Sequence, residues 1–412
     1  MNRPSLPQRI FSIDKRDVLS FLNSLTLALL LVLMAVEKFQ PVVNLIYLVC
    51  LVSLSLLVTR NLDFFGRYKF LFASVGVFVL YHEVQQYLLT GELSKEYVKY
   101  IALALYFVSL CSYGFSRITL YVATIIGSLL AAGMATAAYL KTGGRIGLGF
   151  NPNVLGLILA ALSAINLACF FQEESRLRHV FIFSFLMVAL ATLTTGSRNV
   201  WLIEIFLTAV LLFCFFYKLR PAGKVALILA SVTGAVMLVT SGVVEKRMES
   251  TLHEIEQISQ GKLNTSLGYR VQMLDMGMEL FRSSPFYGVG KDPSTRLELL
   301  QPVIDEKGYT ERAITDYDHL HNGFLDELAS FGVLGLGVYL LLLAGIMRTA
   351  FQMGTALVTG CLLSVYLIGS IGDSPLNNSR PEILLILLVP LVLNMTKGNI
   401  FSKVADKAEV GA

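Results

Sequence analysis

Apolar runs of about 20 residues, each long enough to cross a bilayer, recur along almost the whole chain. Of the 412 residues, 55% are hydrophobic and only 15% charged, and mean hydropathy is +0.66. Soluble domains carry roughly 25% charge. The chain therefore reads as an all-α polytopic membrane protein. A net charge of +4 and a pI near 8.7 are ordinary for such a chain and point to no nucleic-acid partner.

Twelve spans are expected, at about 18–36, 41–58, 70–89, 98–115, 118–140, 153–171, 179–195, 199–217, 224–241, 322–347, 354–371 and 382–397. An even number places both termini on one side, and the Lys and Arg balance selects it. With both ends cytoplasmic, the cytoplasmic segments hold 17 of the 33 basic residues, including Arg60, Arg67, Lys69 and Arg220. The polar N-terminus shows no small-residue cleavage site, so no removable signal peptide is expected. Cys50, Cys111, Cys169, Cys214 and Cys361 all fall inside apolar runs and form no disulfide framework or metal motif.

The domain organisation follows: spans one to nine over 1–241, an outward loop over 242–321, spans ten to twelve over 322–397, and a cytoplasmic tail over 398–412. The loop carries 9 basic and 13 acidic residues, and two stretches, 244–260 and 269–281, have helical spacing of apolar positions. Residues 286–293 read as loop.

Candidate chemistry gathers at the outward ends of the spans. The run Gly143-Gly144-Arg145-Ile146-Gly147-Leu148-Gly149 lacks the strand and the Lys-Ser/Thr of a nucleotide cradle. It reads as a flexible hairpin in which Arg145 can contact an anion. Arg198 follows Gly196-Ser197 in a short outward turn, where the positive-inside rule disfavours it. There it starts a helix, whose N-terminus favours an anion, and its guanidinium can grip phosphate oxygens bidentately. Snorkelling to lipid headgroups is the competing reading. Arg270 opens the second loop helix, and Arg380 repeats the Arg198 situation at the last span. Several outward arginines over a bundle suggest a polyanionic, lipid-linked ligand.

The densest polar cluster is Asp316-Tyr317-Asp318-His319-Leu320-His321-Asn322. One reading gathers Asp316, Asp318, His319 and His321 around a divalent metal. Another makes His321 a general base at the entry of span ten, where a helix N-terminus disfavours imidazolium and keeps the ring able to accept a proton. A third is a polar loop entering the membrane. Ionisable residues at the spans (His82, Glu83, Glu204, Asp326, Glu327 and Asp373) are further candidates.

These residues carry a resemblance. His321-Asn322, nine residues, then Gly332-Val333-Leu334-Gly335 is similar to the H-[N/S/Q]-x9-G-x-x-[G/T/Y] pattern of bacterial O-antigen ligases and related O-oligosaccharyltransferases. Gly196-Ser197-Arg198, and Arg270 followed by Ser284-Pro285-Phe286-Tyr287-Gly288-Val289-Gly290, also resemble that family, as does the span layout. The resemblance implies a GT-C-like inverting glycosyltransferase of the bacterial inner membrane with a periplasmic site and no cofactor or metal. Its donor would be a glycan on undecaprenyl pyrophosphate, and its acceptor a lipid A–core sugar. It implies that His321 is the base and that Arg198 and Arg270 hold the pyrophosphate. Arg145, Arg380, Asn322, Asp373 and His319 stand as further substrate-binding candidates. The alternatives are an O-antigen polymerase or a protein O-oligosaccharyltransferase of the same architecture. A twelve-helix secondary transporter is more distant, because no paired halves are evident.

Overall fold

The computed structural model describes residues 15–36, 40–57, 63–94, 96–216, 220–225, 229, 242–316 and 319–395. Among these, every regular element is helical. The first nine helices are α1 (Lys15–Leu33), α2 (Gln40–Leu57), α3 (Asp63–Arg67), α4 (Lys69–Thr90), α5 (Tyr100–Tyr113), α6 (Arg117–Thr142), α7 (Pro152–Gln172), α8 (Arg178–Leu193) and α9 (Arg198–Phe216). A cap follows, built of α10 (Gly242–Ser259), α11 (Ser266–Ser283), α12 (Pro293–Lys307) and α13 (Arg312–Thr315). The chain then returns through α14 (Gly323–Met353), α15 (Ala356–Gly372) and α16 (Ser379–Asn394).

Eleven of the twelve expected spans coincide with helices. The ninth, 224–241, lies almost wholly outside the described residues, as does the tail 398–412. Four helices, α6, α7, α9 and α14, are long and apolar enough to cross a membrane, and α1, α5, α8 and α15 are shorter apolar helices. Large side chains such as Leu80, Leu88, Ile118, Leu140 and Phe213 stand exposed on the bundle's flanks. Lipid is the solvent that suits such a surface.

Helix α7 is the axis of the bundle. Asn151 caps it by accepting from the Asn153 amide at 2.9 Å, and Pro152 supplies the first-turn residue that needs no amide partner. No charged residue follows for its whole length, and Asn153 to Phe170 are buried. A helix apolar on every side belongs inside, and α7 is enclosed by α6, α8, α9, α15 and α16. Its one mid-helix amide, Asn166, donates to Ser128 Oγ at 2.7 Å and Leu162 O at 2.9 Å.

Helix α14 is broken at Gly332, whose φ of 69° and ψ of −168° leave the helical region. The break exposes backbone groups that an apolar setting cannot leave unpaired. The cap segment after α11 pairs them. Val289 and Gly290 amides donate to Ala329 O and Ser330 O, both at 2.9 Å, and the Val333 amide donates to Pro285 O at 2.8 Å. Tyr81 on α4 donates to Phe331 O at 2.8 Å. The two backbones touch so closely that a Cβ on Gly332 would lie 2.2 Å from Phe286 C, and one on Gly288 2.2 Å from Ser330 C. Two glycine motifs, far apart in sequence, thus form one joint.

The cap holds two helices beyond the pair expected from spacing: α12 and α13 stand beyond the loop at 286–293, where no element was assigned. Their apolar faces make a second core, with Met273, Met276, Leu280, Leu300 and Ile304 packed on Leu325 and Ala329 of α14. Arg296 fastens this unit. It is 3% exposed and donates to Gly290 O at 3.0 Å, Asp326 Oδ1 at 3.2 Å and Ser330 Oγ at 2.6 Å. Asn377 donates to the other oxygen of Asp326, and Lys291 Nζ donates to Asn377 Oδ1 at 2.8 Å.

Candidate functional site

On the cap side of the bundle, helix ends and cap helices surround a cavity of about 360 Å³. Four arginines line it, Arg145, Arg198, Arg247 and Arg270, together with His321. They come from four elements: the loop before α7, the first residue of α9, helix α10 and helix α11. The N-terminal turn of α11, with Ser266 and Tyr269, also faces the cavity. The starts of α9 and α11 therefore add two sets of helix N–H dipoles that favour an anion.

The glycine-rich loop is docked rather than hanging free as a flexible hairpin. The Ile146 amide donates to Thr194 O at 3.1 Å and the Ile146 side chain is buried. Arg145 Nε donates to Thr195 O at 3.0 Å, and its Nη2 donates to Asn153 Oδ1 at 3.3 Å. Those bonds aim its guanidinium at the turn that delivers Arg198.

Glu254 on α10 provides local countercharge. Its Oε1 accepts from Arg198 Nη2 at 3.3 Å and lies 3.9 Å from Arg247 Nη1, while Oε2 accepts from the Leu267 amide at 2.8 Å. The same carboxylate thus meets two of the four guanidiniums. Burial first, and then Arg270 and Arg198, lower the Arg145 guanidinium below its ordinary value. Burial, followed by Arg198 and Arg145, pushes Arg247 down to about 10. Cations that depress one another in this way gain from an incoming anion.

His321 sits at the cavity edge with a φ of 51°, a left-handed backbone uncommon for a residue with a side chain. Asn322, next in the chain, caps α14 by accepting from the Leu325 amide at 2.9 Å and donates to Ile371 O at 3.2 Å. It fixes the turn that carries the histidine. His321 Nδ1 lies 3.3 Å and His319 Nε2 3.1 Å from the same oxygen, Oδ1 of Asp373, at the end of α15. Burial opposes ionisation of Asp373, yet the two histidines hold its carboxyl well below the usual range. The three ligand-capable atoms lie within 4.8 Å of one another, so the trio has the spacing of a cation site as well as of an oriented base.

The structure does not gather every candidate. Asp316 is exposed and contacts Thr315, away from the two histidines, and Asp318 is outside the described residues. The carboxylate that meets the histidines is Asp373, which comes from another helix. Arg380 also does not line the cavity. Its guanidinium lies 3.7 Å from the centre of the Phe150 ring, and Nη1 donates to Val36 O at 3.4 Å. His82 pairs with Glu327 and contacts Phe78 O at 2.8 Å inside the bundle, and Glu204 accepts from Ser163 at 2.8 Å. Glu83 accepts from Ser94 and the Tyr97 amide. Arg247 and Glu254 carried no motif and were missed in the sequence.

Residues 182–340 match the family model described as O-antigen ligase. That segment, about two fifths of the chain, is similar to O-antigen ligases. The matched segment contains Arg198, Arg247, Arg270, His321 and the Gly332 break, and it leaves Arg145 and Asp373 outside. An uncharacterized protein of Haemophilus influenzae is 24% identical over 168 residues, which cover 39% of this chain and 41% of that protein. The alignment therefore spans about two fifths of that relative's length.

Proposed function

We propose that this protein is an O-antigen ligase that moves a glycan from undecaprenyl pyrophosphate to a sugar hydroxyl of the lipid A–core. The site would face the periplasm from a bacterial inner membrane, with both termini cytoplasmic. The observation that carries this reading is that His321 and four arginines open onto one cavity.

The chemistry asks for two things that these residues can do. An acceptor hydroxyl is a weak nucleophile, and a positioned base contributes about 10²–10⁴-fold. His321 is that base. A proton on Nδ1, donated to Asp373, leaves Nε2 as the basic nitrogen. As the acceptor oxygen bonds to the anomeric carbon, its proton passes to His321. The bond to the pyrophosphate breaks, and its electron pair leaves with the phosphate oxygen. Attack from the face opposite the leaving group inverts the anomeric centre. Arg198 and Arg270 supply preorganised countercharge where negative charge develops, which is the electrostatic share of catalysis. A stable departing anion asks for no acid and the scheme for no metal or other cofactor. Substrate identity would be read by the cap surface around 242–320.

The test is a gel of lipopolysaccharide from a strain lacking the gene, beside strains complemented with wild type or His321→Ala. Complete core without O-antigen, with lipid-linked polymer accumulating, is the expected result. Core bearing a single repeat unit would mean a polymerase. An unchanged ladder would redirect the search to glycoprotein acceptors or transport. Normal transfer by His321→Ala would remove the base assignment.

A further inference from the structure

Arg247 has no place in the scheme above, yet it is more tightly held than a surface arginine. Its side chain is 17% exposed, it lines the cavity, and its buried Nε–H has no acceptor among the described residues. A buried donor without a partner costs stability, so an N–H of this kind beside a cavity marks a place for an acceptor from outside. Glu254 is its nearest carboxylate, at 3.9 Å, and makes the shorter contact with Arg198.

The setting of Glu254 resembles that of a bound phosphate oxygen. The carboxylate meets two guanidiniums and the amide of Leu267 in the first turn of α11, and Ser250 Oγ donates to it at 3.3 Å. It is 9% exposed. An anion buried against two arginines and a helix N-terminus occupies the type of position that a phosphate takes.

Charge gives the pair a direction. Four guanidiniums and His321 line the cavity, and Glu254 meets two of the four. A glycosylated lipid pyrophosphate carries one negative charge on each phosphate. When the glycosyl bond breaks, the terminal phosphate takes a third. A guanidinium-lined cavity gains more from the leaving group than from the donor, and interactions stronger at the transition state than in the ground state are the ones that accelerate reaction.

We propose that Arg247 is a further phosphate-binding residue of this site, and that Glu254 is its internal counter-ion, displaced from Arg198 and Arg247 as the leaving phosphate gains charge. The proposal rests on the reading of Arg198 and Arg270 as the pyrophosphate clamp. The depressed Arg247 guanidinium agrees with it, since an added phosphate relieves the repulsion from its neighbours.

The experiment titrates the purified full-length protein in detergent with inorganic pyrophosphate, comparing wild type, Arg198→Ala, Arg247→Ala, Arg247→Lys and Glu254→Gln. Loss of one charge-assisted contact weakens binding by about tenfold or more, so Arg247→Ala is expected to fall at least that far and Arg247→Lys less. Glu254→Gln is expected to bind several-fold tighter. A gain of affinity cannot come from misfolding, which keeps the test decisive if the alanine variants are unstable. In transfer assays Arg247→Ala should lower kcat more than it raises the donor KM. Wild-type-like pyrophosphate binding by Arg247→Ala, alongside loss in Arg198→Ala, would overturn the assignment of Arg247 and leave the functional reading standing. Weaker or unchanged binding by Glu254→Gln would overturn the counter-ion role. If wild type binds no pyrophosphate and Arg198→Ala transfers normally, the functional reading itself fails, and this inference with it.

Discussion

Nδ1 of His321 lies 3.3 Å from Oδ1 of Asp373, which also accepts from the Ser374 amide at 2.8 Å and is 3% exposed. A carboxylate fixed in this way holds one tautomer and one ring orientation of the base. Asp373→Asn preserves the shape and removes the charge. It is expected to lower kcat by about 10²-fold or more with the protein still in the membrane fraction. Transfer at the wild-type rate would show that Asp373 does not orient the base.

The pH dependence of that contact has a definite sign. Asp373 is held below its ordinary value in the folded state, so its contribution to stability is present above the unfolded value near ~3.9. It is lost only as pH falls further, toward the folded value. The gap in unfolding midpoint between wild type and Asp373→Asn should not shrink between pH 8 and about 5, narrowing only at more acid pH. A gap that closes near neutrality would contradict the ionised carboxylate.

Chelation separates an oriented base from a cation site, because His319, His321 and Asp373 have spacing suited to both. Transfer by membranes treated with EDTA and washed is expected to equal that of untreated membranes. Loss of activity restored by one divalent cation would reassign the trio as metal ligands.

The joint between the cap and the broken helix should resist a single methyl group. Gly332→Ala places a side chain at φ 69° with its Cβ 2.2 Å from Phe286 C and 2.6 Å from Tyr287 N, and both contacts are backbone. Backbone strain of this kind costs about 1–3 kcal/mol before the clash is counted. Gly337→Ala, in the same helix with nothing within 4 Å of its Cβ, should be neutral or slightly stabilising. Equal unfolding midpoints for the two variants in detergent would show that the joint is not as close as described.

Arg296 and Asp326 are 4% and 2% exposed at the side chain, and they tie the cap to the half-helix that begins just after His321. Removing one partner of a buried pair costs about 3–5 kcal/mol, because the other charge stays buried. Arg296→Met should therefore destabilise far more than the double variant Arg296→Met/Asp326→Leu, as read by thermal unfolding. A double variant no more stable than the single would mean that the arginine acts through packing alone.

The spans were legible because hydropathy over 20 residues is a local property, and the caps at Asn151-Pro152 and Asn322 are short-range signals too. Helix α12 also left a readable trace, with Asp292-Pro293 at its start and Gly308 at its end, although no helix was assigned there from the sequence. The motif around His321 and the turns at Arg198 and Arg270 pointed to the cavity. Asp373 did not appear as the histidines' partner, because 52 residues and two helices separate it from His321. Arg247 looked like one charge among many in a solvated helix, and Arg380 looked equivalent to Arg198.

The sequence by itself determined where the chain is apolar enough to enter lipid, which residues start its helices, and which polar residues end up at their mouths. Only the tertiary structure decided which of those mouths meet. Packing α14 and α15 side by side brings Asp373 to the histidines, and folding the cap back onto the Gly332 break swings Arg247 and Arg270 over Arg198. Arg380, stacked on Phe150, is left out of the cavity lining. Local propensity acts along the chain, while charge recognition acts through space, and the helix arrangement alone converts one into the other.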